Sequence, residues 1–244
     1  MSAASTPSRL GNPRLHLRCT DSTNDRARAL AAAGAPHGTL VTAGEQTAGR
    51  GRQGRRWSAP PDKALLCSVL VRGLEERHSI LPLAAAVAVC EAAEAVAPVE
   101  ARIKWPNDVW VERRKLAGIL IEGRPQEGWA VVGIGLNVGT RAEEFPVELR
   151  DTATSLAVAG SSAAEPPSVE VTLEALLEAL AERLGNEEGE VLAAWRARDA
   201  LLGERVRWDR GEGQAAGIDD SGALLVDVEG GRVSLDAGEV HLLR

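Results

Sequence analysis

Residues 49 to 57 read Gly49-Arg50-Gly51-Arg52-Gln53-Gly54-Arg55-Arg56-Trp57. Arginines alternate with glycines, no acid interrupts them, and an indole closes the run. Glycine lets a backbone approach a ligand closely and adopt φ > 0. A guanidinium offers a planar fork of donors that fits carboxylate and phosphate oxygens. Such a loop suits capture of a small anion with a flat apolar part. The same residues also describe a solvated basic loop, so their context decides.

The context contains lysine where the chain otherwise avoids it. Only Lys63, Lys104 and Lys115 are lysines among 28 basic residues. Two of them fall in a second group of blocks, Lys104-Trp105-Pro106-Asn107-Asp108 and Lys115-Leu116-Ala117-Gly118-Ile119-Leu120-Ile121-Glu122. Those positions call for a compact ammonium on a flexible stem. A third block reads Gly133-Ile134-Gly135-Leu136-Asn137-Val138, and upstream lie Asp21-Ser22-Thr23-Asn24 and Glu45-Gln46-Thr47-Ala48. Hydroxyl and amide side chains in these upstream blocks both donate and accept. No GxxxxGK[ST] phosphate loop is present, so any nucleotide site is built another way.

In this order and spacing the blocks resemble the biotin–protein ligase family, strongly over residues 15 to 160 and weakly over the C-terminal forty. The resemblance implies an ATP-dependent enzyme that makes biotinyl-5′-AMP. It then passes biotin to a lysine of a biotin carboxyl carrier domain of a biotin-dependent carboxylase. Two anions must meet in that chemistry, so cationic donors and Mg²⁺ are expected. Lys115 is placed between the biotin carboxylate and the α-phosphate. Ser22, Thr23, Asn24 and Gln46 are expected on the biotin ring, with Ser22 or Thr23 also able to cap a helix. Gly49, Arg50, Gly51, Arg52 and Gly118 complete the biotin side. Arg50, Arg52, Arg55, Trp57, Lys104, Asn107, Lys115 and Asn137 are expected around ATP and the adenylate.

Several roles stay open at this level. Asp108 either orients and deprotonates the acceptor lysine or ligates Mg²⁺. Lys104 either reaches phosphate or pairs with Asp108. Arg55 and Arg56 reach polyphosphate or face water. Trp57 lies along adenine, along the biotin edge, or in the core. Asn137 faces adenine or sits in a glycine-permitted bend. The related lipoate–protein ligases share the fold and the adenylation logic. The Arg/Gly loop and the Lys-Trp-Pro-Asn-Asp block favour biotin. A non-catalytic biotin sensor is the reading of a different class. It would bind biotin without releasing pyrophosphate.

Composition narrows the classes further. The net charge of −7 over 244 residues opposes general nucleic-acid affinity. The ligase motifs begin at Asp21, which leaves too little chain upstream for a DNA-reading domain. Cys19, Cys67 and Cys90 show no metal-ligand or CxxC spacing and read as reduced thiols of a cytoplasmic protein. The apolar run from Ile80 to Cys90 is too short to span a bilayer. A monomer or weak homodimer is expected.

The elements that must position these residues follow from periodicity and punctuation. Residues 1 to 13 read as a flexible arm, 14 to 201 as the catalytic domain, and 202 to 244 as a small SH3-like β barrel. The fold class is α+β, a mixed sheet with helices packed on one side of it; the resemblance implies that this is the class II synthetase-like ligase fold. A helix starts at Ser22 or Thr23 and ends near Gly34. Strands are expected over 38–44, 63–72 and 102–105, as a hairpin over 109–111 and 115–122, and over 129–138. Ser79 caps an alanine-rich helix with Pro82 in its first turn. Helices follow around Leu173–Leu184 and Glu187–Leu201, then five short strands after Gly203. The 49–57 loop is expected to lack one fixed conformation without an anion, because its arginines repel one another.

Overall fold

The computed structural model describes residues 10–74, 80–160, 165 and 167–243. Ser79 and most of the 1–13 arm therefore lie outside the described residues. A seven-stranded mixed sheet forms the centre, in the order β1-β2-β3-β7-β6-β5-β4. Its strands are β1 (Arg14–Thr20), β2 (Leu40–Gln46), β3 (Ala64–Arg72), β4 (Arg102–Lys104), β5 (Asp108–Val111), β6 (Arg114–Arg124) and β7 (Trp129–Asn137). Only β1 and β2 run parallel; the other neighbours are antiparallel. β1 was not foreseen, because its short alternation of Leu15, Leu17 and Cys19 lies on an edge and is mostly exposed.

Strand alternation divides the sheet into two faces. Leu65, Cys67, Val69 and Val71 of β3 join Val132, Ile134 and Leu136 of β7 in the larger core cluster. That face receives α2 (Leu81–Val96), α4 (Val169–Gly185) and α5 (Glu188–Arg196). α2 is apolar almost all round because helices, the central sheet and the C-terminal strands surround it. The opposite face carries Val41, Leu70, Trp129 and Val131 against Ala27 and Ala31 of α1 (Thr23–Ala32). Helices thus cover both faces, a correction to the one-sided arrangement expected. The sequence hides this because the fully buried apolar residues of α1 are the alanines Ala27 and Ala31, and small side chains carry little periodic signal.

After the short helix α3 (Leu156–Ala159) and α5, five strands form a second, antiparallel sheet. They are β8 (Arg205–Trp208), β9 (Gly211–Ile218), β10 (Leu224–Val228), β11 (Gly231–Leu235) and β12 (His241–Leu242), in the order β11-β10-β9-β8-β12. The last strand returns beside the first. Among the described residues no ladder joins the edges β11 and β12. This sheet leans on the main one: Trp105 Nε1 donates to Gly222 O at 3.0 Å, and Arg196 Nη2 to Ile218 O at 3.1 Å.

Candidate active site

The β5–β6 hairpin shows how the backbone aims the chemistry. Glu112 and Arg113 both adopt left-handed φ, 50° and 62°, as a two-residue turn between twisted strands requires. Below the turn Trp110 pairs with Lys115, yet Val109 pairs with Ala117. One extra residue is therefore accommodated on β6. Leu116 and Ala117 are successive, and both are buried in the core. The bulge lets Lys115 and Gly118, three apart, both face the cleft, which simple alternation forbids. The Lys115 backbone is clamped on its other side by Thr152 O at 2.7 Å and Thr154 N at 2.9 Å.

The cleft lies on the α1 face and encloses about 860 Å³, open solvent included. Its floor is glycine. Gly118 and Gly135 are cross-strand partners on β6 and β7. A Cβ at Gly135 would lie 2.5 Å from Trp57 Cε2, and one at Gly118 3.1 Å from Trp57 Cζ3. A Cβ at Gly133 would lie 1.9 Å from Asn24 Oδ1. These positions let an indole and the first turn of α1 settle directly on the sheet. Trp57 therefore forms a wall of the cleft, and its Nε1 is buried without a partner among the described residues.

At one end a polar chain links α1 to β2 and β3. Thr23 donates through N and Oγ1 to Gln46 Oε1, at 2.7 and 3.1 Å. Ser68 Oγ lies 2.8 Å from Thr23 Oγ1 and 2.7 Å from Asn24 Oδ1. Asn24 Nδ2 donates to Glu122 Oε2 at 2.9 Å and Leu120 O at 3.3 Å. Ser22 stands at the cap position of α1, but its hydroxyl caps nothing. Among the described residues Ser22 Oγ and Gln46 Nε2 have no protein partner. This end offers donors from Ser22 and Gln46 and an acceptor from Asn24.

At the other end charge dominates. Lys115 Nζ lies 2.7 Å from Asp108 Oδ1 and 5.7 Å from the Trp57 ring centroid. Lys104 Nζ sits 5.7 Å from the Trp110 ring, with no carboxylate in ion-pair range among the described residues. Burial pulls the Lys104 ammonium below the ordinary lysine value; Asp108 opposes this and Lys115 adds to it. Asp108 thus takes Lys115, not Lys104, as its direct partner. Asp108 is the only predicted metal ligand, and Lys115 already occupies one of its oxygens. No group of three or more His, Cys, Asp or Glu that could hold a metal exists among the described residues. One carboxylate at the cationic end suits a Mg²⁺ carried chiefly by nucleotide phosphates rather than by a protein cage.

In the structure the Arg/Gly loop is held by its own backbone. Gly51 N bonds Arg55 O at 2.8 Å and Trp57 N bonds Gly49 O at 3.0 Å, closing a miniature hairpin. Gln53 and Gly54, at φ 54° and 74°, make its turn. Its arginines do not simply repel. Arg50 bonds Asp25 Oδ1 at 2.7 Å and Glu122 Oε1 at 2.9 Å. Arg55 pairs with Glu239 just ahead of β12, and Arg56 Nη2 donates to Thr47 O at 2.8 Å. Arg52 alone of the four has no partner among the described residues.

The expected residues Ser22, Thr23, Asn24, Gln46, Arg50, Gly51, Arg52, Arg55, Trp57, Lys104, Asn107, Asp108, Lys115 and Gly118 all line this one cleft. Two do not. Gly49 lies behind it, where a Cβ would meet Trp57 O at 2.3 Å, so it closes the loop. Asn137 is buried and donates to Thr154 O at 2.9 Å, outside the lining. Asn107 lines the cleft but gives its amide to Ile119 O at 3.0 Å. Asp25, Ser68, Glu122 and Glu239 were missed. Glu122 was findable, since it continues the Gly118, Leu120 alternation; Glu239 had no such signal.

Comparison with known proteins identifies this arrangement. Residues 16–139 match the Biotin/lipoate A/B protein ligase family, and residues 201–243 match the Biotin protein ligase C terminal domain. The chain belongs to the biotin/lipoate A/B protein ligase family. It is 40% identical over 237 residues to a biotin--[acetyl-CoA-carboxylase] ligase of Mycobacterium tuberculosis, covering 92% of this chain and 87% of that one. A ligase of the same description from Paracoccus denitrificans is 35% identical, covering 92% and 98%. The solved biotin protein ligase of Aquifex aeolicus, in complex with biotin and ATP, superposes with a TM-score of 0.82 at 30% identity. It covers 96% of this chain and 99% of that one. No helix among the described residues is long and apolar enough to cross a membrane.

Proposed function

We propose that this ligase activates biotin with ATP to biotinyl-5′-AMP and transfers biotin to a lysine of a biotin carboxyl carrier domain. The observation that carries the reading is Lys115. It stands between an end that offers paired donors and acceptors and an end that concentrates cations. A ureido ring presents one C=O and two N–H groups, which suits Ser22, Gln46 and Asn24 Oδ1. The biotin carboxylate then attacks the α-phosphorus, and the bond to the β-phosphate oxygen breaks to release pyrophosphate. Lys115 reduces repulsion between the two anions and stabilises charge on the phosphoryl oxygens. Lys104, Arg52 and Arg55 are suited to polyphosphate, with Arg55 first leaving Glu239. Magnesium enters with ATP as part of the substrate, held chiefly by phosphates.

In the second step the acceptor amine attacks the carbonyl of the mixed anhydride and AMP leaves. We assign Asp108, bonded to Lys115, to orienting that amine and taking its proton. Trp57 covers the intermediate and limits water. We assign Arg50 to anchoring the loop, and Asn107 and Asn137 to fixing backbone around the site. The enzyme acts in the cytoplasm as a monomer or weak homodimer, without a specific nucleic-acid partner. Biotin-dependent exchange of pyrophosphate into ATP tests the reading. Exchange with biotin but not with lipoate is expected. Exchange with lipoate alone, or biotin binding with no exchange, would replace it.

A further inference from the structure

We propose that Glu122 is a positioning residue that couples recognition of the ligand ring to closure of the Arg/Gly loop; this rests on the ligase reading above. Glu122 lies near the end of β6, on the same strand face as Gly118 and Leu120, and is largely sheltered. Its two carboxylate oxygens serve different masters. Oε2 accepts from Asn24 Nδ2 at 2.9 Å, while Oε1 accepts from Arg50 Nη2 at 2.9 Å and faces Arg28 Nη1 at 3.5 Å.

The first contact fixes what Asn24 offers a ligand. An amide can turn over, exchanging its oxygen and nitrogen. Here turning would set Asn24 Oδ1 against the Glu122 carboxylate and Nδ2 against Ser68. With both Nδ2 hydrogens engaged by Glu122 and Leu120 O, Asn24 presents only the acceptor Oδ1. The site end is thereby selective for a ligand N–H.

The second contact holds the loop. Arg50, Arg28, Asp25 and Glu122 form a neutral quartet: Arg50 contacts both acids, and Arg28 lies 3.3 Å from Asp25. Neutralising Glu122 leaves two guanidiniums sharing one carboxylate, so Arg50 loses half of its anchorage. One side chain thus sets both the hydrogen-bond polarity of the ring site and the rest position of its lid.

Glu122→Gln tests this. The carboxamide keeps the shape but cannot accept through both ends, so either Asn24 or Arg50 meets an N–H. A charged hydrogen bond is worth roughly a 10- to 150-fold change in an equilibrium. We expect KM for biotin to rise about 10-fold or more, and amide exchange over residues 49–57 of the ligand-free enzyme to quicken. The far-UV circular dichroism of the variant should stay that of wild type, which shows that it folds. Glu122→Asp, which keeps the charge, should recover loop protection in part and serves as the second variant. A biotin KM or a loop exchange rate at the wild-type value in folded Glu122→Gln overturns the coupling. If the wild type turns over no biotin, the ligase reading fails, and loop exchange alone still decides the tether.

Discussion

Lys104 and Lys115 differ in what holds them. Lys115 has a carboxylate at 2.7 Å, whereas Lys104 is sheltered beside Trp110 with none in range among the described residues. Burial depresses the Lys104 pKa, so the native state resists its charge. The sign follows from linkage. A lysine lowered in the folded state destabilises while both states are charged. That penalty fades as pH rises through the lowered pKa toward the unfolded value of 10.5. Lys104→Met should therefore hold or raise Tm at neutral pH while raising KM for ATP about 10-fold or more. Its Tm advantage should shrink toward pH 10. A lowered Tm with unchanged KM would make Lys104 a packing residue. Arg52 is the loop arginine whose side chain has no partner among the described residues, so its guanidinium is available to the adenylate. Arg52→Gly should quicken single-turnover release of biotinyl-AMP by roughly 10- to 150-fold and label bystander lysines. Equal release with slowed synthesis would move Arg52 into the chemical step.

At the scale of elements, the glycine floor of β6 and β7 decides whether the cleft exists. Gly135 sits in a strand interior, where alanine is the easier residue for the backbone. Its obstacle is Trp57, whose ring would lie 2.5 Å from the new Cβ. Gly135→Ala should therefore fold, shift the tryptophan fluorescence, and weaken biotin binding by about 10-fold or more. Wild-type affinity with wild-type fluorescence would mean that the indole yields without consequence. These elements were unequally legible. Fourteen expected site residues meet in one cleft because the motifs occupy strand ends and turns, whose Gly, Pro, Asn and Asp signals are local. The bulge at Leu116 was not legible, because an apolar run carries no phase. Nor was the edge strand β1, or the side of the sheet that α1 takes. Within the loop, only the mutual repulsion of the arginines is visible in sequence. The distant acids Asp25, Glu122 and Glu239 that relieve it are brought near only by the fold. Asn137 was assigned to ligand on motif alone, while Thr154, its partner, lies on a later loop.

For the whole molecule, the two sheets share one core. Val206, Ala215, Ile218, Leu224 and Val226 of the C-terminal strands, with Val240 just ahead of β12, belong to the same buried cluster as α2 and the central sheet. Residues 202–244 are thus a sequence unit that we expect not to unfold separately. Tryptophan fluorescence and far-UV circular dichroism should report one coincident denaturant transition; two transitions would separate the sheets. The same closure brings Glu239 to the cleft and ties Arg55 there, so the assembled molecule, not the motif set, makes the catalytic chamber. The central claim is that Lys115 drives formation of the intermediate and that the finished site delivers biotin to one lysine. Single-turnover transfer of labelled biotin from ATP and biotin to a purified carrier domain tests it most directly, with wild type beside Lys115→Ala. The account predicts stoichiometric labelling of one carrier lysine by wild type. Lys115→Ala should be slower by about a hundredfold or more yet keep the wild-type Tm. Labelling by the variant at the wild-type rate, or no ATP-dependent labelling by wild type, would contradict it.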